Sequence, residues 1–202
     1  MLNRFSNLSC YEEFEIQCTL ACISKIDVLK EIGHKIDNYY FFVSNDGVFN
    51  WFDLEGNHIE NPGVLKILKE DYIPATITKC VIPNSVISID NDAFVYCELL
   101  KEITIPNNVT SIGDKAFFYC ESLKEVIIPN NVTNIGREVF SSCESLASIT
   151  IHNSTTSIGE WAFFNCPSLK QVIFKGKTLD EVKRMDNYPW DIEDESIIKC
   201  EI

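Results

Sequence analysis

The sequence predicts an α/β solenoid of 23-residue units, each a short strand, a turn and a short helix, preceded by a small α+β capping region. Three observations carry this. Ile82, Ile105, Ile128, Ile151 and Phe174 stand 23 residues apart. Cys97, Cys120, Cys143 and Cys166 keep that spacing, and so do Phe94, Phe117, Phe140 and Phe163. Gly113, Gly136 and Gly159 complete the register. Self-similarity at a fixed period marks a solenoid, in which each unit buries its apolar edge only against its neighbours. Such an array presents a long surface, which points to a binding protein.

Within one unit, Leu123, Val126, Ile128 and Asn131 fit the leucine-rich template L-x-x-L-x-L-x-x-N. Val126, Ile127 and Ile128 read as a parallel strand with its first and third residues inward. Pro83, Pro106 and Pro129 follow at once; they lack an N–H and end the strand. Asn108 and Asn131 are expected to satisfy backbone groups in the next turn with their side chains. The glycines after Ile112, Ile135 and Ile158 suit a turn or a close backbone approach. Ala116, Phe117 and Cys120 share a face at i, i+3 and i+4 spacing, which predicts a short helix over 114–120.

The string I-P-x-x-V-x-x-I-G-x-x-x-F-x-x-C-x-S-L, read from Ile128 to Leu146, resembles the BspA-like (Treponema pallidum-type) leucine-rich repeat family. The resemblance covers roughly residues 77–174. It implies protein or cell-surface recognition, often by secreted bacterial or protozoan proteins. It implies no particular activity, because leucine-rich repeats serve many unrelated partners.

The expected organisation is an N-terminal α+β cap over 1–75, the solenoid over 76–174 and a C-terminal capping segment over 175–202. In the first, Ser9-x-x-Glu12 opens a helix running to about Cys22, and Ser24 opens a second, with Ile26, Leu29 and Ile36 among its apolar residues. Tyr39 to Val43 and Val48 to Leu54 flank Asn45-Asp46-Gly47, a hairpin signal. Pro62 opens a further short helix, with Leu65 and Leu68 inward. Residues 39–52 hold seven of the 23 aromatics. They serve either as a cap on the solenoid end or as an aromatic contact surface. In the last segment, Thr178-x-x-Glu181 begins a helix through about Met185, and Leu179, Val182, Tyr188 and Trp190 are expected to cover the last coil. The acidic stretch Asp191 to Glu195 reads as a solvated turn.

Net charge is −13. A surface of that sign repels phosphate backbones and anionic bilayers, so neither direct nucleic-acid binding nor membrane attachment is expected. The first residues show no apolar run of signal-peptide type, and no stretch approaches about 18 apolar residues. Nine cysteines without a paired framework fit reduced thiols. The expectation is a cytoplasmic protein. The cysteine ladder reads as core, since a ladder diverges along an axis while zinc needs four converging ligands. Cys18 and Cys22 lack partners at ligand spacing. No metal or cofactor is expected.

No catalytic constellation emerges. His34, His58 and His152 have no nucleophile at motif spacing, and there is no nucleophile elbow, Walker loop or dinucleotide fingerprint. The sequence therefore predicts a non-catalytic protein-binding module that uses the concave face of the strands. Alternation places Val81, Thr104, Ile127, Thr150 and Ile173 in a central outward row. Beside it run Lys79, Glu102, Glu125, Ser148 and Gln171, then Thr78, Lys101, Lys124, Ala147 and Lys170. Ile127 and Ile173 have no core role in this register, and three lysines of one row make a basic stripe. The predicted contacts are Lys101, Glu102, Thr104, Lys124, Glu125, Ile127, Ser148, Thr150, Lys170, Gln171 and Ile173. Two other readings stay open: an acidic inhibitor, viral or from a mobile element, that blocks a basic nucleic-acid-processing protein, and a secreted adhesin. Salt sensitivity of the complex separates the inhibitor from the others.

Overall fold

A computed structural model of the chain describes residues 34–36, 39–43, 49–53, 57–59, 66–67, 77–82, 84 and 86–202. Its first strands, β1 (His34–Ile36), β2 (Tyr39–Val43), β3 (Phe49–Asp53) and β4 (His58–Ile59), form an antiparallel sheet in that order. Tyr39 lies opposite Asp53 and Val43 opposite Phe49, which is the expected hairpin pairing. Phe52 is fully buried, its ring edge-on to His58 at 5.7 Å. The turn at Asn45-Asp46-Gly47, the helix expected from Ser9, and Cys18 and Cys22 lie outside the described residues, as does most of the helix expected from Ser24; its Ile36 is instead in strand β1, opposite Tyr39.

From there longer strands alternate with two-residue ones. In order they are β5 (Lys66–Ile67), β6 (Lys79–Val81), β7 (Ser88–Ile89), β8 (Glu102–Thr104) and β9 (Ser111–Ile112). There follow β10 (Glu125–Ile128), β11 (Asn134–Ile135), β12 (Ser148–His152), β13 (Ser157–Ile158) and β14 (Gln171–Lys175). Helix α1 (Leu179–Lys183) and strand β15 (Ile198–Glu201) complete the chain. The longer strands pair in parallel, β6 with β8, and β10, β12, β14 and β15 in sequence, with β8 beside β10. The short strands form a second parallel ladder, β5-β7-β9-β11-β13. The result is a β-solenoid of about five turns. Its register is one coil per 23 residues, as in Val126 beside Ile149 beside Val172.

A third side closes each coil, and here the structure corrects the expected helices. Residues 91–96, 114–119, 137–142 and 160–165 are successive tight turns with no α-helix. Lys115 and Tyr119 take left-handed φ of 54° and 60°, and the equivalent pairs Asp92/Tyr96, Glu138/Ser142 and Trp161/Asn165 do the same. That conformation is costly for residues with a Cβ. It is offset because it turns N–H groups toward the next coil: Lys115 N–H donates to Arg137 O at 2.8 Å, Phe117 N–H to Val139 O and Tyr119 N–H to Ser141 O. A helix would spend those donors inside its own turns. The i, i+3, i+4 pattern that suggested a helix instead records which side chains face the core.

That core is a set of stacks. Phe94, Phe117, Phe140 and Phe163 lie almost parallel, with centroids 5.1, 5.4 and 6.1 Å apart. Each buried ring contributes roughly 1.5–3 kcal/mol of apolar transfer free energy. Ile105, Ile128, Ile151 and Phe174 line the strand side of the same interior. The glycines serve close approach. A Cβ on Gly136 would sit 2.4 Å from the Gly113 carbonyl carbon and 2.5 Å from Asp114 N, so at this corner coil rests on coil. The asparagines also act between coils rather than within their own turn: Asn131 Nδ2 donates to Asn107 O at 2.7 Å, and Asn108 Nδ2 to Asn84 O.

Two end regions differ from expectation. Lys66–Ile67, placed in a helix opened by Pro62, is a strand paired with Ser88–Ile89; the rest of that expected helix lies outside the described residues. At the far end the Thr178–Glu181 capping box forms, but α1 ends at Lys183. Val182 and Trp190 are buried over the last coil and Tyr188 is half-buried, whereas Leu179 is exposed. In the acidic stretch, Asp191, Glu193, Asp194 and Glu195 are exposed while Ile192 is buried. Strand β15 adds one more member to the longer ladder, at Ile198 beside Val172.

Candidate functional site

The outward side of the longer ladder is where the predicted contact residues meet. In β10 the alternation runs Glu125 out, Val126 in, Ile127 out, Ile128 in, because successive side chains of a strand leave opposite faces. Register then stacks like positions: Val81 beside Thr104, Ile127 beside Thr150, Thr150 beside Ile173. Lys101, Glu102, Thr104, Lys124, Glu125, Lys170 and Gln171 are exposed; Ser148 and Thr150 are half-buried. Ile127 is 65% exposed and Val81 52%, which makes them large apolar side chains standing in solvent. Ile173 departs from the reading as exposed. It is half-buried, because β15 lies alongside and places Lys199 next to it.

Charge on this face is partly tied down. Lys79 Nζ lies 3.0 Å from Glu102 Oε2, and Lys175 pairs with Glu201. Lys101 and Lys124 start successive coils; Lys101 N–H donates to Thr78 O on the coil before it, and Lys124 O accepts from Ala147 N–H on the coil after it. Neither they nor Lys170 forms an ion pair among the described residues.

The cysteines occupy the core. Cys97, Cys120 and Cys143 are buried and Cys166 is half-buried. Sγ of Cys120 donates to Phe94 O at 3.2 Å, Cys143 to Phe117 O and Cys166 to Phe140 O, each reaching back across a coil. Burial pushes the Cys97 and Cys166 thiols up to about 12, and raises Cys120 and Cys143 well above the ordinary thiol range. A thiol held neutral is a poor nucleophile and a poor metal ligand. Among the described residues, no group of three His, Cys, Asp or Glu could hold a metal ion. No helix among them is long and apolar enough to cross a membrane.

The model of the BspA type leucine-rich repeat region matches residues 66–188 in six copies. This chain belongs to the BspA-type leucine-rich repeat family. The first copy begins at β5, so the match agrees with the strand found there. Among solved structures, the Treponema pallidum leucine-rich repeat protein is similar at 26% identity and a TM-score of 0.55, covering 69% of this chain and 70% of that one. A leucine-rich cell surface protein of Faecalibacterium prausnitzii is similar at 27% identity and a TM-score of 0.60. That likeness covers 78% of this chain but 43% of the Faecalibacterium chain. A leucine-rich repeat protein of Eubacterium ventriosum, at 21% identity and a TM-score of 0.58, shares the fold. No curated protein matches the sequence.

The BspA-type turns carry a second exposed surface that the sequence reading passed over. Tyr96, Phe118 and Tyr119 form a ring cluster with centroids 4.8–5.9 Å apart, and Tyr96 is 49% exposed. Along the same edge the Arg137 guanidinium lies over Trp161 at 4.4 Å, and Lys115 stands over Phe118 at 5.5 Å. Glu138 links to both cations, at 3.5 Å from Lys115 and 3.3 Å from Arg137. A signal for this edge was present, since Tyr96 and Tyr119 share one repeat position and Phe118 and Phe164 another. Tyr96 and Tyr119 themselves take left-handed φ, which the helix reading did not foresee. At the last turn, Phe163, Leu169, Ile192 and Ile197 help line an open hollow of about 470 Å³ rimmed by Asp191, Glu193 and Asp194.

Proposed function

We propose that this chain is a non-catalytic recognition module that binds another protein through the outward face of its longer strands. The observation that carries this reading is Ile127, held 65% exposed at the middle of the ladder between Thr104 and Thr150, with charged residues on either side. A rigid parallel sheet presents that side chain, with Thr104 and Thr150 near it and lysines beside it, at little entropic cost to a partner. An apolar centre within a polar rim is the usual anatomy of a protein interface. The family supports it too, since leucine-rich repeat folds are in general protein-interaction modules.

The test is affinity capture from lysate of the source cells, with wild type compared against Lys101→Glu, Lys124→Glu and Ile127→Asp combined. A protein retained by the wild type and lost by the variant is expected, with the thermal transition unchanged. Retention by both would move the contact surface elsewhere.

On placement, two observations pull apart. Cys80, Cys120, Cys143, Cys166 and Cys200 are free thiols, which supports a reducing compartment and hence the cytoplasmic reading. The Faecalibacterium relative is described as a cell surface protein, which supports display outside the cell. Fractionation of source cells with an antibody to the chain measures this directly.

A further inference from the structure

The chain is strongly acidic, yet its longer-strand face is not. That face carries Lys79, Lys101, Lys124, Lys170, Lys175 and Lys199 against Glu102, Glu125 and Glu201. Over the rest of residues 77–202, five basic side chains stand against fifteen acidic ones. Two of the three face carboxylates are already engaged, Glu102 by Lys79 and Glu201 by Lys175. Lys101, Lys124 and Lys170 keep their charge uncompensated among the described residues. Lys101 and Lys124 belong to neighbouring coils, Lys101 leading into β8 and Lys124 into β10 beside it. Like charges one coil apart disfavour each other, and a carboxylate brought between them would relieve that.

We infer that the segment recognised on this face is an acidic polypeptide stretch with an apolar side chain between its carboxylates. Its acids meet Lys101, Lys124 and Lys170, and its apolar residue covers Ile127. This rests on the strand face being the contact surface. The sign of the surrounding surface supplies the selectivity. A basic segment would be drawn to the acidic flanks and end segment at least as well as to this face. An acidic segment is repelled from those surfaces and accepted only here, so the same field that rejects it elsewhere orients it. Net charge alone predicts the opposite preference, which makes the inference sharp.

The experiment is a fluorescence-anisotropy titration with three labelled peptides of equal length, repeating Glu-Glu-Leu, Gln-Gln-Leu and Lys-Lys-Leu. The proteins are wild type, Ile127→Asp, and Lys101, Lys124 and Lys170 changed together to Glu. A second triple variant, changed to Gln, serves if the first does not fold. The expected result is that wild type binds the Glu peptide at least about tenfold more tightly than either lysine variant does. That binding should weaken as salt is raised. Equal binding of the Glu and Gln peptides, lost in Ile127→Asp, would overturn the acidic inference and leave the face as a contact surface. Glu-peptide binding that neither variant alters would overturn both. No detectable binding of the Glu peptide by wild type would overturn the inference. So would sedimentation showing that wild type self-associates while the lysine variant does not, because the occupant would then be a second copy of the chain.

Discussion

The glycine corner and the strand face are made by the same 23 residues, yet through the three coils of Gly113, Gly136 and Gly159 only the corner repeats without change. At Gly113, Gly136 and Gly159 each coil's backbone fills the space a Cβ would need on the next, so no other residue fits. One outward row on the strand face reads Thr78, Lys101, Lys124, Ala147 and Lys170, with no such constraint. The interior stacks follow the corner's rule, since Phe94, Phe117, Phe140 and Phe163 rest on one another. Contact between coils dictates the residue; contact with solvent releases it. The variable positions are therefore where recognition can be written without loss of the fold.

Substitutions test that division, and the largest effect belongs to the stack. Phe117→Ala removes a ring held between Phe94 and Phe140, and should cost about 4 kcal/mol in denaturant unfolding. Gly136→Ala forces backbone to move at 2.4 Å and should cost about 3 kcal/mol, seen as a lower Tm. If it is tolerated, the corner is not the constraint described. Alkaline pH probes the same interior. The Cys97 and Cys166 thiols keep their protons in the fold up to about 12, while the unfolded chain gives them up near 9. Stability is thus full below pH 9 and falls as pH rises from there toward 12. Each such thiol removes about 1.4 kcal/mol per pH unit over that window. Urea midpoints measured at successive pH values check the slope, and a flat profile would contradict the burial. The smallest effect is expected on the face, where Ile127→Asp should change stability by less than about 0.5 kcal/mol. A large loss there would give Ile127 a structural role and weaken its reading as a contact.

Periodicity made much of this legible. Ile82 to Phe174 at one spacing located the strands, and the glycines implied close approach. The turns were misread because Ala116, Phe117 and Cys120 satisfy helical spacing, while the left-handed backbone at Lys115 and Tyr119 leaves no mark in residue type. Strand β15 was missed since Val172 pairs with Ile198, which breaks the 23-residue step. Lys66–Ile67 was missed for a similar reason, its partner Ser88–Ile89 lying 22 residues on. Of the face, the alternation gave the outward residues, but the half-burial of Ile173 depended on that unforeseen strand. The charge contrast between face and flanks needs the fold, because lysines and carboxylates alternate along the chain and separate only once it is coiled.

The ring stack finally meets Trp190, whose indole stands edge-on to Phe163 at 77° and is held by Nε1 donating to Asp186 O. Parallel rings at regular spacing are a template, and a stack left open would recruit the matching ring of any similar coil. A perpendicular indole offers no parallel face to copy. Trp190 thus closes that column with an edge where each ring below it presents a face.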